Sequence, residues 1–119
     1  MRKYTLPRSI LIKRRADFQR VYQKGKTFSN RMIVIYVFRS DDLFGRVGFA
    51  AGKKLGSAPV RNRVKRLLRE SYRLHREDIK DGYAILLVGR KAATAAKCQD
   101  VERALVDVLR RAKLLKKQV

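Results

Sequence analysis

SAPVRNRVKRLLRESYRLHR, residues 57–76, is the stretch on which the architecture turns. Ser57 stands as a helix N-cap and Pro59 falls in the first turn. Val60, Val64, Leu67 and Leu68 then recur at i, i+4, i+7 and i+8, one buried stripe of a helix running to about Arg76. What lies on either side of this helix is extended. Residues 32–38, MIVIYVF, are β-branched and aromatic and are expected to form a strand largely buried on both faces. Ser40, Asp41 and Asp42 open a turn, and residues 46–51 return as a strand. The short loop predicts that these two strands pair antiparallel. After the helix, Gly82 precedes another strand at 83–88. Further out, residues 15–23 form a short amphipathic helix with Phe18, Val21 and Tyr22 on one face, stopped at Gly25. A short extended piece follows near 26–28. A last helix covers about 99–115, with Val101, Leu105, Val108, Leu109 and Ala112 as its core face. Asp100 and Glu102 sit at its positive end and Lys113, Lys116 and Lys117 at its negative end, which complements the helix dipole. The predicted order is αβββαβα. No Pro/Gly/Ser linker divides the chain, so residues 1–119 are expected to form one domain with a basic N-terminal tail of about 1–13.

Charge narrows the function. Lys and Arg number 31 against 10 Asp and Glu, a net +21 on 119 residues. Such a charge repels itself in a compact fold unless a polyanion balances it. It is also uneven. Segments 1–31 and 46–76 carry +9 each and 108–119 carries +5, while 32–45 and 77–107 each carry −1. RNA, DNA and an anionic membrane are the candidate partners. No apolar run approaches the roughly 18 residues of a spanning helix, and Met1 to Tyr4 lead into no signal-peptide core. One cysteine, Cys98, permits no internal disulfide, which fits a reducing cytoplasm.

Opposite its apolar stripe, the central helix places Asn62, Arg66, Arg69, Arg73 and Arg76 at i, i+4, i+7, i+11 and i+14, flanked by Arg61, Arg63 and Lys65. Over roughly 28 Å at 1.5 Å per residue this face can track several phosphates. An ordinary solvated face mixes its signs and gains from Glu–Lys pairs. Here Glu70 is the single acid, and like charges at i, i+4 cost stability unless neutralised. Arginine predominates, and its fork suits bidentate phosphate contacts. Asn62, neutral and in the first turn, suits a base edge, a metal-bound water or a second cap. Lys53 and Lys54, on the loop feeding the helix, are either plain exposed lysines or phosphate contacts beside a helix N-terminus.

Phe18, Tyr22 and Tyr36 admit two readings: core packing, or a cleft where single-stranded bases stack, with Arg14, Arg15, Arg20 and Lys24 making its rim electropositive. Protein-borne catalytic machinery is not expected. His75 is the lone histidine, the ten acids are scattered, and no HExxH, P-loop or GxSxG occurs. One Cys and one His cannot build a structural zinc site.

Arg61-Asn62-Arg63 followed by Val64-Lys65-Arg66-Leu67-Leu68-Arg69-Glu70, with Lys53-Lys54-Leu55-Gly56-Ser57-Ala58 before it, resembles the RNR signature of the bacterial ribonuclease P protein family. Phe18-Gln19-Arg20-Val21-Tyr22, Gly25, Ser29-Asn30-Arg31, and the Tyr83 strand with Gly89-Arg90-Lys91-Ala92 fit the same family, so that about residues 8–117 are covered. The resemblance implies an α/β (α+β) sandwich, αβββαβα, like the second domain of ribosomal protein S5, with a left-handed βαβ crossover. It implies the protein subunit of a ribonucleoprotein endonuclease, a hydrolase of tRNA processing. Its catalytic RNA removes the 5′ leader of precursor tRNA using Mg²⁺ held mainly by RNA, with one protein per RNA. By match, Arg61, Asn62, Lys65 and Arg66 would face the leader and the catalytic RNA, and Lys53 and Lys54 would add backbone contacts; Arg63, Arg69 and Arg73 on the same cationic helix are expected to bind RNA with them. Phe18, Tyr22 and Tyr36 would by the same match line the leader cleft, and from the charge around it Arg14, Arg15, Arg20 and Arg31 are expected to add basic contacts. Tyr22 stands where members commonly carry Phe, and its ring can still stack. A small ribosomal or RNA-chaperone protein with no part in tRNA cleavage is the alternative that composition allows.

Overall fold

A computed structural model of the chain describes residues 6–116. The elements are α1 (Arg15–Lys24), β1 (Lys26–Ser29), β2 (Ile33–Arg39), β3 (Val47–Ala51), α2 (Ala58–His75), β4 (Tyr83–Gly89) and α3 (Cys98–Arg111), joined in part by short 3-10 turns. The predicted order αβββαβα is the observed one. The four strands form one sheet in the order β1-β2-β4-β3.

The predicted β2–β3 pair is not formed. β4 lies between them, antiparallel to β2 with Ile35 opposite Leu87, and parallel to β3 with Phe49 opposite Leu87. The two strands do run in opposite directions, but one strand apart. The reason lies in β4 itself: YAILLVG is apolar at almost every position, and such a run gains most when both of its faces and both of its edges are covered. The loop at 40–46 has only to span about two strand spacings of roughly 4.8 Å, and α2 supplies the long crossover that a parallel pair requires.

Period-two alternation sorts the side chains of the sheet onto two faces. Ile33, Ile35, Val47, Phe49, Ile85 and Leu87 face α2 and α3 and join one large buried cluster with Val64, Leu68, Tyr72, Val101, Leu105, Val108 and Leu109. The buried stripe of α2 runs further than the sequence suggested: Ser71 and Tyr72 are buried as well, and the Tyr72 ring meets Phe49 edge-on at 5.8 Å. Burial pushes the Tyr72 phenol above its ordinary value. Gly89 allows α2 to seat on β4, since a Cβ there would lie 2.3 Å from a Val64 methyl.

The opposite face carries a smaller cluster of Ile12, Val21, Leu43, Ala84 and Leu86, with Phe18, Tyr36 and Phe38 packed partly against it. Its cover is α1, only ten residues long. Phe18 reaches the sheet over Gly48, where a Cβ would stand 2.8 Å from the ring. β2 is therefore buried unevenly, and even on its better-covered face Val37 is only half-buried. Ile33 and Ile35 are sealed, whereas Val34, Tyr36 and Phe38 are half-covered, which corrects the expectation of burial on both sides.

Two ends also differ from expectation. From Leu6 onward the expected basic tail is docked: Leu11 bridges Val47, the Ile12 amide donates to the Val47 carbonyl at 2.8 Å, and Ile12 is buried. This contact shields the outer edge of β3. The last helix stops at Arg111 instead of near 115. Lys113 takes a left-handed φ of 59°, its amide donates to the Arg110 carbonyl, and the Leu114 amide donates to the Leu109 carbonyl, each at 3.0 Å. This is a Schellman cap built without glycine, and burial of Leu114 holds it in place. Lys117 lies outside the described residues. No helix among the described residues is long and apolar enough to cross a membrane.

Candidate nucleic-acid interface

The cationic helix forms where the sequence places it. Ser57 occupies the N-cap position in extended conformation, but its hydroxyl makes no capping bond. Pro59 fits the first turn, where its missing N–H costs nothing. Because the apolar stripe faces the sheet, Asn62, Arg66 and Arg69 stand exposed, with Lys65 and Arg61 half-buried at their sides. Lys53 and Lys54 are exposed on the 3-10 turn that leaves β3 and feeds α2.

Within that set the cations divide. No hydrogen bond or ion pair within the protein engages Lys53, Lys54, Lys65 or Arg66 among the described residues. Arg61 donates to the Gly56 carbonyl at 3.2 Å, closing the turn ahead of the helix. Arg63 points elsewhere: its guanidinium donates to the carbonyls of Thr94 at 3.2 Å and Ala96 at 2.8 Å, clipping the turn before α3 onto α2. Arg69 lies over the Phe49 ring at 5.5 Å. Arg73 is paired with Glu70, one turn back, and holds that carboxyl below its usual range. The continuous cationic face inferred from spacing is thus strongest in its first half. The sequence could not separate Arg63 from Arg66, because the partners of Arg63 lie more than thirty positions away.

A second candidate surface lies where α1 leaves the sheet open. The rings of Tyr22 and Tyr36 are 5.0 Å apart and inclined at 46°. Tyr22 is 55% exposed, whereas Phe18, one turn earlier, is pressed towards the sheet. Burial, and then the neighbouring Tyr22 hydroxyl, push the Tyr36 phenol above its ordinary value. The two tyrosines thus present ring surface, and Phe18 chiefly supports them. Arg14 and Arg15 are exposed at the start of α1, with Arg14 3.6 Å from Asp17. Arg20 is not free: Asp42 and Ser40 hold it.

A family model described as Ribonuclease P matches residues 6–113. The chain belongs to the ribonuclease P protein family. The ribonuclease P protein component of Alkaliphilus oremlandii is 39% identical over 108 residues, 91% of this chain and 95% of the relative. That of Clostridium acetobutylicum is 40% identical over 106 residues, 87% and 89% of the two chains. Among solved structures, the ribonuclease P protein of Staphylococcus aureus matches with a TM-score of 0.79 at 34% identity, covering 89% of this chain and 97% of that one. The Thermotoga maritima protein matches with 0.74 at 27%, covering 84% and 94%.

Two residues of the chain have structural roles that its sequence did not disclose. The Asn30 side-chain amide donates to the Ala104 carbonyl and to Asp107, each at 3.0 Å, while its oxygen accepts from the amides of Met32 and Ile33, also at 3.0 Å. Arg90 donates to the Asn30 carbonyl. The turn between β1 and β2 is thereby fastened to α3, which leaves Arg31 exposed beside it. Asn30 holds the Asp107 carboxyl below its ordinary value, with Arg111 assisting. The single signal in the sequence was an asparagine at a strand-to-strand turn. His75 joins α2 to α3 through Glu102, 2.7 Å from its Nε2. No group of three or more His, Cys, Asp or Glu able to hold a metal occurs among the described residues.

Proposed function

We propose that this chain is the protein subunit of a ribonuclease P ribonucleoprotein, binding its catalytic RNA and the 5′ leader of precursor tRNA. The observation that carries this reading is the coexistence of two unlike surfaces on one family fold. One is an unpaired cationic strip of Lys53, Lys54, Lys65 and Arg66, continued by Arg61, Asn62 and Arg69. The other is a half-covered sheet face presenting Tyr22 and Tyr36. Phosphate oxygens are matched by the first through charge-assisted bonds, and single-stranded bases by the second through stacking, which tolerates any sequence. Arg31, Arg14 and Arg15 supply further positive potential, and Arg73 and Arg63 support the helix that carries the strip.

In this reading the cut is made by the RNA, with Mg²⁺ held mainly by RNA. Bound Mg²⁺ would supply the charge that activates water and stabilises the leaving oxygen. The residues of this chain seat the leader, so that precursor is preferred over mature tRNA, and neutralise RNA charge, so that less Mg²⁺ is needed.

Reconstitution with the cognate catalytic RNA tests the proposal. Adding the protein should restore precursor cleavage at low Mg²⁺ and raise affinity for leader-bearing over mature tRNA, with a steep fall of affinity with salt. Cleavage unchanged by the protein would overturn it in favour of a ribosomal or chaperone role.

A further inference from the structure

Arg20 is the cation whose position in the sequence and whose contacts diverge most. It lies on α1 between Phe18 and Tyr22, yet its guanidinium turns away from them to the loop after β2. Nη1 donates to Oδ2 of Asp42 at 2.8 Å and Nη2 donates to Oδ1 at 3.1 Å, a two-pronged grip across 22 positions of sequence. Nη2 also donates to the Ser40 hydroxyl at 3.2 Å, and Asp17 lies 3.7 Å from Nη1. The guanidinium carbon stands 5.7 Å from the centre of the Phe38 ring. Ser40 in turn donates to Asp42. The fork that would embrace a phosphate is already closed on a carboxylate, with a second carboxylate beside it. A phosphate would have to displace both.

The grip joins the two parts of the chain that carry the aromatic pair. Tyr22 is two residues beyond Arg20 on α1, and Tyr36 lies on the strand whose end leads to Asp42. Among the described residues α1 is the single helix over this face, and its buried anchor is Val21 with Phe18 beside it. The grip adds a side-chain tie to this short helix besides the burial of Val21, and so bears on how the Tyr22 ring lies against Tyr36.

We infer that Arg20 and Asp42, with Ser40, form a clamp that positions α1 and so sets how the touching Tyr22 and Tyr36 rings are presented together on the open sheet face, and that Arg20 is not an RNA contact. This rests on the reading of that face as the seat of the leader. It makes Asp42 an acid that assists the binding of an anion, the reverse of what its charge alone would do.

That reversal is the test, made in the ribonucleoprotein reconstituted with its catalytic RNA. Asp42→Asn should lower the ratio of affinities for leader-bearing over mature tRNA by about two- to fivefold, the scale of one exposed ion pair, with the salt slope unchanged because no phosphate contact is lost. Arg20→Gln should lower the ratio equally, and the double variant should do no more harm than either single one. Should Asp42→Asn fail to fold, the swapped pair Arg20→Asp with Asp42→Arg serves in its place: a clamp restores the ratio, and an RNA contact at Arg20 does not. Precursor binding that is equal or tighter in Asp42→Asn, or a salt slope reduced by about 0.7 in Arg20→Gln, would overturn the inference. Tyr22→Ala and Tyr36→Ala separate the two levels. If neither alters the ratio, the cleft reading itself fails; if both do and Asp42→Asn does not, the clamp alone fails.

Discussion

The two faces of the sheet are built from the same alternating strands and end in opposite states. On one, α2 and α3 together cover the strands, and Ile33, Ile35, Val47 and Leu87 retain no exposed surface. On the other, a ten-residue helix covers part of the area and leaves Tyr36, Val34 and Phe38 half-exposed. The sealed face stabilises the fold through apolar burial. The other keeps aromatic surface in contact with water, where a ligand can cover it. The difference comes from the length of the covering helices, since the strands supply apolar residues to both sides.

Substitutions should therefore separate cleanly by face. The largest effect is expected for Leu68→Ala, on the sealed side, which should cost about 2–5 kcal/mol of stability in denaturant unfolding and leave the RNA affinity of the folded protein intact. A matching loss of affinity at equal folded fraction would blur the contrast. Tyr36→Ala, on the open side, should do the converse. Affinity for leader-bearing RNA should fall by about 1–3 kcal/mol, measured against mature tRNA, while the unfolding midpoint moves less than in Leu68→Ala.

The outer surface of α2 sharpens the contrast with two neighbouring arginines. Arg66→Ala should weaken RNA binding by about 1 kcal/mol and reduce the salt slope by about one. Arg63→Ala should leave that slope unaltered and instead cost about 0.5–1.5 kcal/mol of stability through its two lost carbonyl bonds. A slope that fell in both variants would return Arg63 to the RNA-facing group.

The smallest effect concerns pH. Asn30 holds the folded Asp107 carboxyl below its ordinary value, so its stabilisation is present above the unfolded carboxylate range and is lost as pH falls through the lower folded value. The stability gap between the native chain and Asp107→Asn should narrow as pH falls from about 5 towards 3. A gap that stayed constant or widened would show that Asp107 contributes nothing through its charge.

Much of this was legible beforehand, and the failures share a cause. Helix α2 with its Val64–Leu68 stripe, strands β2 and β4, and the Gly25 stop follow from periodicity and turn chemistry, which act over a few residues. The cationic strip was legible because helical spacing alone brings Lys65, Arg66 and Arg69 to one surface. The aromatic residues could be named, but not divided into a supporting Phe18 and a presented Tyr22, because that depends on how closely α1 approaches the sheet at Gly48. Lys113 concealed the end of α3, since a left-handed cap without glycine has no mark in the sequence.

The sequence by itself determined the elements, their order, the excess of positive charge and the family to which those motifs belong, because each rests on residue type and short-range spacing. Only the tertiary structure decided that β4 enters between β2 and β3, that Arg63 and Arg20 are bound within the protein while Arg66 is not, and that one face of the sheet stays open. Those outcomes depend on contacts between residues twenty to eighty positions apart, and such contacts exist only once the helices have competed for the surface of the sheet.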